Sequence, residues 1–301
     1  MKLLSSPLST TTEIANALKS SKSRNLKERL FQSFLLLSTL IALLILIVLL
    51  VDIMYQGFGR LNLDFLTDYT SRRASRTGIR TGLTGTLSLM VLVAIISFPI
   101  GVGAAIYLEC FAPKNWFTKF MQVNIANLAG VPSVVYGLLA AALFAYILNF
   151  GRSLLTGALA LVLLILPVII VAGREAIKAV SPSIYQGALA LGATPWQAVY
   201  KQVLPVAMPG ILTGTILALS RAIGEAAPIL VAGAVFSRRA DNEPWNIFEP
   251  FGALPVQIFD FVKRPQPEFQ IEVAAAGIIV MLVVLLIMNS AAIILRNRYS
   301  K

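Results

Sequence analysis

The stretch at residues 181–225 reads SPSIYQGALALGATPWQAVYKQVLPVAMPGILTGTILALSRAIGE, and the rest of the chain is arranged around it. Its first half, to Pro205, is polar enough to lie in water. Its second half is an apolar helix that carries two charges, Arg221 and Glu225, at a depth where charges are costly. The pattern predicts a segment that a soluble partner binds, followed by a helix that lines a pathway through the membrane.

The composition is that of a membrane protein. Of 301 residues, 57% are hydrophobic and only 13% are charged, whereas soluble domains carry about 25% charged residues. The net charge of +11 would suggest nucleic acid in a soluble protein. Here most cations flank apolar runs, where they set the orientation in the membrane. We therefore expect membrane lipid, and no nucleic acid, around this chain.

The rare residue types exclude several kinds of chemistry. There is no histidine and one cysteine, Cys110, so a disulfide within the chain, a histidine metal site and a Ser-His mechanism are all excluded. Cys110 is interpreted as a small apolar filler at a helix end. No G-x-x-x-x-G-K-[ST] loop is present, so the chain has no ATPase of its own. We expect no cofactor, no metal and no catalytic residue.

Long apolar runs predict six transmembrane helices in an all-α integral membrane protein. Each run is long enough to cross about 30 Å of hydrocarbon at 1.5 Å per residue. The first is too long for the apolar region of a cleaved signal peptide, and no small-x-small site follows it. The runs are residues 31–51, 81–108, 120–151, 153–173, 209–236 and 273–295.

These runs divide the chain into four parts. We predict a cytoplasmic tail at residues 1–30, the first helix with an outer loop at 31–80, a five-helix core at 81–295 and a second cytoplasmic tail at 296–301. Six spans place both termini on one side. A modest excess of Lys and Arg beside the termini predicts that this side is the cytoplasm.

One basic cluster in the first outer loop runs against that excess. It consists of Arg72, Arg73, Arg76 and Arg80. If the second helix starts here, these side chains extend to lipid phosphates. The alternative is an electrostatic funnel for an anion or an acidic partner.

Proline and glycine interrupt several of the spans. Broken helices are tolerated where backbone groups face protein or a water-filled cavity, and transporters use them in that way. We expect helix breaks at Pro99, Gly130, Pro132 and Pro228.

The polar loop at residues 174–206 predicts two short helices. Ser181-Pro182 is a helix start signal, and Gly192 is a natural end for the first helix. Thr194-Pro195 begins a second helix, and Leu204-Pro205 is expected to end it and turn the chain back into the membrane. The result is a compact knob on the cytoplasmic face, or else an ordinary pair of interfacial helices.

The spacing in this loop resembles the EAA signature of bacterial ABC-importer permeases, which reads E-A-A, three residues, G, nine residues and then I-x-L-P. In that family the segment is a coupling helix seated in a groove of the cytoplasmic ATPase, so we call residues 174–206 the coupling loop. Gln186 replaces the acid of the signature, Gly187 its alanine and Gln202 its isoleucine. The residues implied in coupling are Gln186, Gly187, Ala188, Gly192, Leu204 and Pro205.

Further stretches resemble the permeases of bacterial phosphate importers, and more narrowly the PstA-type subunit. The resemblance implies a type I permease fold and half of a phosphate path across the bacterial plasma (inner) membrane. The implied partners are a second homologous permease subunit, two copies of a cytoplasmic ATP-binding subunit and a periplasmic or extracellular phosphate-binding protein. The matching stretches are Gly78-Ile79, Gly85-Thr86-Leu87, Pro99-x-Gly101 leading to AIYL at 105–108, GVPSVVYG at 130–137, RAIGEAAP at 221–228 and LPVQI at 254–258.

The charged pair within RAIGEAAP has two interpretations. Arg221 and Glu225 are four residues apart and share a helix face, so they could neutralise each other and only hold helices together. Alternatively, Arg221 donates to phosphate oxygens during transit, while Glu225 holds Arg221 or accepts a proton. Rival functions are a permease for another oxyanion such as sulfate or molybdate, an ion-coupled secondary transporter and, more remotely, an intramembrane enzyme.

Overall fold

The protein is built from helices alone in the part of the chain that the computed structural model describes, residues 7–235 and 246–299. Five helices are long and apolar enough to cross a membrane, and a bent pair brings the number to six if it is one span. The predicted all-α membrane fold is confirmed. Helices suit this environment because they satisfy every backbone hydrogen bond within one segment.

The first helix, α1, runs from Pro7 to Gly57 and accounts for most of the first of two compact units, which divide after Tyr55. Residues 7–30, which belong to the predicted cytoplasmic tail, are helical and continuous with the first span, and residues 1–6 lie outside the described range. No glycine or proline occurs between Pro7 and Gly57 to end the helix.

Three long helices form the centre of the second unit: α3 (Arg80–Ile106), α6 (Leu154–Lys178) and α9 (Leu204–Ile223). Helix α6 packs between the other two and buries Leu161, Ile165 and Ile169. It continues past residue 173 to Lys178, so the first residues of the coupling loop are helical.

No break occurs at Pro99, contrary to the sequence-based expectation. Helix α3 continues through this residue and on through a π-helical turn, Tyr107–Phe111. A proline removes one backbone hydrogen bond. Pro99 lies on an exposed side of α3, while Gly101 packs closely against Ile169 of α6. That contact holds the helix across the missing bond.

The predicted third span is sharply bent. It consists of α4 (Trp116–Leu128) and α5 (Ser133–Ala140), and α5 continues through a π-helical turn, Ala141–Ile147. The helix axis bends by 105° between the two halves. The bend falls at the stretch that contains Gly130 and Pro132, where the sequence predicted a helix break.

The coupling loop holds α7 (Pro182–Ala190) and α8 (Pro195–Ala198). The expectation that Leu204-Pro205 ends the second short helix is wrong. Helix α8 passes through a π-helical turn, Val199–Val203, directly into α9. The wider turn accommodates Pro205, which has no N–H to donate to the preceding turn.

The predicted fifth span also divides. Helix α9 ends at Ile223, and a short helix, α10 (Ala227–Ala232), begins after three non-helical residues. Pro228 occupies the second position of α10, where a missing N–H costs no hydrogen bond.

Both predicted outer loops contain helices. The first holds α2 (Leu63–Thr67) and a short turn, Ala74–Arg76. The second holds α11 (Leu254–Lys263), and its residues 236–245 lie outside the described range. Phe65, Leu254, Phe261 and Phe269 form a second apolar core there.

The last helix, α12, runs from Ala274 to Tyr299. It begins directly after a π-helical turn, Phe269–Val273. Residues 296–299, predicted as part of the second tail, are therefore helical, and residues 300–301 lie outside the described range.

Candidate translocation and coupling sites

Arg221 and Glu225 form an ion pair at the end of α9. Arg221 Nε donates to Glu225 Oε1 at 3.3 Å. Glu225 lies beyond the last residue of α9, in the turn before α10, where its N–H donates to the Ala222 carbonyl. The Arg221 side chain is 49% exposed and that of Glu225 is 20% exposed, so the cation remains accessible to a ligand.

The two broken spans cross close to this pair. A Cβ atom on Gly137 of α5 would lie 2.6 Å from the Pro228 carbonyl oxygen of α10, so the two backbones touch there. Tyr136, beside Gly137 in α5, and Arg221 are near neighbours in the fold. The structure thus brings Arg221, Glu225 and Pro228 to the span that contains Gly130 and Pro132. Pro99, within the unbroken α3, is not part of this break.

Tyr136 holds the bent span in shape. Its side chain is 6% exposed, and its hydroxyl donates to the Leu128 carbonyl at 2.6 Å. Leu128 is the last residue of α4, whereas Tyr136 lies in α5. The hydrogen bond therefore closes the turn that contains Gly130 and Pro132.

The coupling loop exposes its turn between α7 and α8. Gly192 has φ +86, a conformation that glycine adopts at little cost, and the Ala193 N–H donates to the Ala188 carbonyl. Leu191 beside it is 92% exposed. Gln186 and Gly187 are exposed, Ala188 is half-buried, and Leu204 and Pro205 lie away from this tip, at the start of α9.

The second short helix has a well-defined start. Thr194 Oγ1 accepts from the Gln197 N–H, and the Gln197 side chain accepts from the Thr194 N–H. This capping box satisfies two backbone donors that the helix cannot pair internally. Trp196 stacks on Tyr200 with ring centroids 6.2 Å apart.

A largely buried ion pair that sequence reasoning missed lies where α6 enters the coupling loop. Arg174 Nε and Nη2 both donate to Glu109 Oε2 at 3.2 Å, and the side chains are 11% and 21% exposed. The pair joins the ends of α3 and α6. A cavity lined by Glu109, Ser181 and Tyr185 connects it to α7. The sequence feature that could have predicted this pair is the position of two opposite charges, each directly after an apolar run.

Gln257 joins three segments at the other end of α3. Its Oε1 accepts from the Gly82 N–H at 3.0 Å. Its Nε2 donates to Thr70 Oγ1 at 2.7 Å and to the Gly78 carbonyl at 3.1 Å. Two of the stretches that carried the resemblance, Gly78-Ile79 and residues 254–258, therefore meet here.

The basic cluster lies mostly before α3. Arg72, Arg73 and Arg76 are exposed on the loop that Gln257 holds, and only Arg80 belongs to α3. The Arg80 guanidinium lies 5.0 Å from the centre of the Tyr69 ring. Arg264 Nη1 also donates to the Ser71 carbonyl at 2.8 Å. A fixed loop, and not the side of a membrane helix, thus presents three of the four cations.

Several known proteins are similar to this chain in sequence. Residues 97–301 match the family described as binding-protein-dependent transport system inner membrane component. The chain is 31% identical over 246 residues to the probable ABC transporter permease protein YqgI of Bacillus subtilis, across 79% of this chain and 84% of that protein. It is 32% identical over 218 residues to the phosphate transport system permease protein PstA 1 of Mycobacterium tuberculosis, across 72% of this chain and 70% of that protein.

Solved transporters share the fold. A chain of a bacterial alginate ABC transporter, solved with an alginate pentasaccharide-bound periplasmic protein, matches with a TM-score of 0.65 at 17% identity, over 92% of this chain and 98% of that one. A chain of the MetNI methionine ABC transporter, in an inward facing conformation, matches with a TM-score of 0.58 at 16% identity, over 74% and 96%. With the family match over residues 97–301, these findings show that the chain belongs to the binding-protein-dependent transport system inner membrane component family and is a multi-pass permease subunit of an ABC importer.

Proposed function

We propose that this permease subunit carries inorganic phosphate across the bacterial plasma membrane in an ATP-driven importer. The observation that carries the proposal is Arg221, a half-exposed cation at the crossing of two broken spans. Relatives that are about one-third identical are named phosphate transport permeases, which favours phosphate over other oxyanions.

Arg221 has the chemistry that phosphate transit requires. A guanidinium offers a planar fork of donors to phosphate oxygens and keeps its charge at every accessible pH. Glu225, at 3.3 Å from Nε, holds the side chain in place and offsets part of its charge. That offset limits how tightly phosphate is held, and a transit site must release its ligand.

The helix breaks supply the remaining polar surface. Non-helical backbone at membrane depth requires protein or water around it, and both breaks occur close to Arg221. In transporters such breaks surround the substrate site. One chain supplies half of such a path, so a second, homologous permease subunit is expected to supply the other half.

The coupling loop is the contact for a cytoplasmic ATP-binding subunit, of which two copies are expected, one for each permease chain. Leu191 is 92% exposed and suits an apolar groove on that partner. Gln186 replaces the acid of the family signature, so this contact is expected to rest on shape and apolar burial more than on a salt bridge.

An ATP-binding partner at the coupling loop implies that this loop lies in the cytoplasm, and we infer that both termini lie on the same side. The basic loop of Arg72, Arg73 and Arg76 precedes α3, and Glu109 lies at the far end of the same span, about 45 Å away at 1.5 Å per residue. The basic loop then faces outward, where a soluble phosphate-binding protein delivers the anion. Its charge steers phosphate or an acidic surface of that protein towards the path.

The test is ATP hydrolysis by the assembled importer in liposomes, with binding protein loaded with phosphate, sulfate or molybdate in turn. We expect stimulation by the phosphate-loaded form alone. We expect Arg221→Ala to abolish phosphate uptake while the complex still assembles. Arg298→Ala, which removes an exposed arginine from the end of α12, is the matched control and should leave uptake unchanged.

The alternatives give different results. Stimulation by sulfate or molybdate would retain the permease assignment and replace the substrate. Normal phosphate uptake in Arg221→Ala would remove Arg221 from the path. Transport by the purified chain without ATP or partners would support an ion-coupled secondary transporter.

A further inference from the structure

A polar cavity of about 390 Å³ opens where α3 and α6 end and α4 begins, away from the Arg221 site. Its charged lining is Glu109, Lys114, Lys119, Arg174 and Lys178, and Asn115 is one of its uncharged polar residues. These residues lie at the same end of α3 and α6 as the coupling loop, because Glu109 also lines a second cavity together with Ser181, just before α7, and Tyr185 of α7.

The cavity contains more positive than negative charge. Arg174 is paired with Glu109, and Lys178 is paired with Glu175, Nζ to Oε1 at 2.8 Å. Lys114 and Lys119 form no ion pair within the residues that the structure describes. Two uncompensated ammonium groups facing one cavity favour an anionic ligand.

The donors around the cavity suit a phosphate group. Each lysine offers three donors, and Arg174 offers a planar fork. Asn115 Oδ1 already accepts from the Thr118 N–H at 2.9 Å, which directs the asparagine amide nitrogen to other acceptors. A tetrahedral group with several acceptor oxygens matches this set better than a halide or a single carboxylate does.

The surroundings of the cavity resemble a membrane interface. Trp116, Phe117 and Phe120, on the first turns of α4, are 76%, 59% and 52% exposed. Exposed aromatic residues concentrate at the level of lipid headgroups, and basic pockets on the cytoplasmic side of membrane helices hold anionic headgroups.

We propose that this cavity binds a phosphate group, carried either by an anionic phospholipid headgroup or by free phosphate; the neighbouring aromatic residues favour the lipid. The bound phosphate competes with Glu109 for Arg174. Because Glu109 also faces α7, occupancy of the cavity changes the support beneath the coupling loop.

The test measures ligand binding to the assembled importer in nanodiscs. In one arm the nanodiscs contain phosphatidylcholine with a minor fraction of phosphatidylglycerol, and the retained phosphatidylglycerol is counted by mass spectrometry. In the other arm the nanodiscs contain phosphatidylcholine alone, and binding of radiolabelled inorganic phosphate is measured without the binding protein. Lys114→Gln/Lys119→Gln is compared with Lys263→Gln/Arg298→Gln, which removes the same charge from exposed positions outside the cavity.

We expect phosphatidylglycerol binding to fall about tenfold in Lys114→Gln/Lys119→Gln and to stay unchanged in the control. The same pattern with inorganic phosphate alone would identify free phosphate as the source. Binding of neither probe, or an equal loss in both double variants, would overturn the proposal. Uptake is not the readout, and Arg221→Ala should still bind the probe, so failure of the proposed transport function leaves this result interpretable.

Discussion

The Tyr136 hydroxyl donates a 2.6 Å hydrogen bond to the Leu128 carbonyl and so joins the two halves of a span that bends by 105°. Leu128 is the last residue of α4, where a helix has carbonyls without partners of their own. Tyr136 supplies one such partner from the next helix. The bend beside Arg221 is therefore fixed by a side chain and is not a free hinge.

Tyr136→Phe tests whether that bond fixes the site. The variant loses the hydroxyl and leaves the Leu128 carbonyl without this donor, which should lower the stability of the complex by about 1 kcal/mol. We expect a lower Tm and slower phosphate uptake. Tyr146→Phe, at a tyrosine that is 67% exposed, is the control and should change neither. An unaltered Tm and uptake rate in Tyr136→Phe would show that packing alone holds the bend.

Gly137→Ala tests the contact between the broken spans. The added Cβ would lie 2.6 Å from the Pro228 carbonyl oxygen and 2.7 Å from its Cα, and backbone atoms cannot rotate away. We expect a loss of about 1–3 kcal/mol of stability and strongly reduced uptake, measured by thermal unfolding and transport in liposomes. At Gly103 of α3 an added Cβ meets nothing within 4 Å, so Gly103→Ala should behave like the unmodified chain.

The approximate positions of the membrane-spanning helices could be predicted from the sequence, because the length of an apolar run reflects a direct physical requirement of the bilayer. It was less informative about proline. Pro99, Pro205 and Pro228 looked alike as helix breakers, yet only Pro228 follows a break. A proline ends a helix only where no widened turn or neighbouring contact compensates for the lost hydrogen bond, and those compensations depend on packing that a single sequence does not display.

Buried polar contacts between distant segments were also beyond the sequence. Glu109 and Arg174 are 65 residues apart and Gly82 and Gln257 are 175 apart, so no local periodicity connects them. Helix α11 was predicted as part of a loop because it is short and flanked by polar residues. Its burial against Phe65 and Ile79 became evident only in the folded chain.

Alanine substitution is expected to have opposite effects on stability at two glycines of the coupling loop. Gly192 has φ +86, so alanine there should cost about 1 kcal/mol and loosen the turn. Gly187 lies within α7, and an added Cβ meets nothing within 4 Å, so alanine there should stabilise the helix by about 0.5–1 kcal/mol. Hydrogen exchange of residues 182–198 should become faster in Gly192→Ala and slower in Gly187→Ala. A change of the same sign in both would contradict the assigned conformation of Gly192.

The Glu109–Arg174 pair can be measured against an exposed pair on the same helix. Because its side chains are largely buried, a double-mutant cycle of Glu109→Gln and Arg174→Gln should give a coupling energy of about 1–3 kcal/mol. Removing one partner should cost more than removing both, since the remaining charge is then buried alone. The Lys178–Glu175 pair is 43% and 62% exposed, so its cycle should give no more than about 0.5 kcal/mol. Equal coupling energies would show that the buried pair has no special role beneath the coupling loop.

Substitutions at Gln257 test whether hydrogen bonds or apolar packing hold α11 against the loop before α3. Its side chain is 3% exposed and contacts Gly82, Thr70 and Gly78. Gln257→Leu leaves these groups buried without a partner, and at about 1–3 kcal/mol for each unsatisfied group we expect a large loss of stability. Gln257→Glu retains the acceptor for Gly82 but places a second acceptor against the Gly78 carbonyl, so it should also be destabilised.

The control is Gln270→Leu, at an exposed glutamine with one hydrogen bond, and this variant should be nearly neutral. If Gln257→Leu unfolds at the same temperature as Gln270→Leu, the apolar core of Phe65, Leu254 and Phe261 alone fixes the loop that presents Arg72, Arg73 and Arg76.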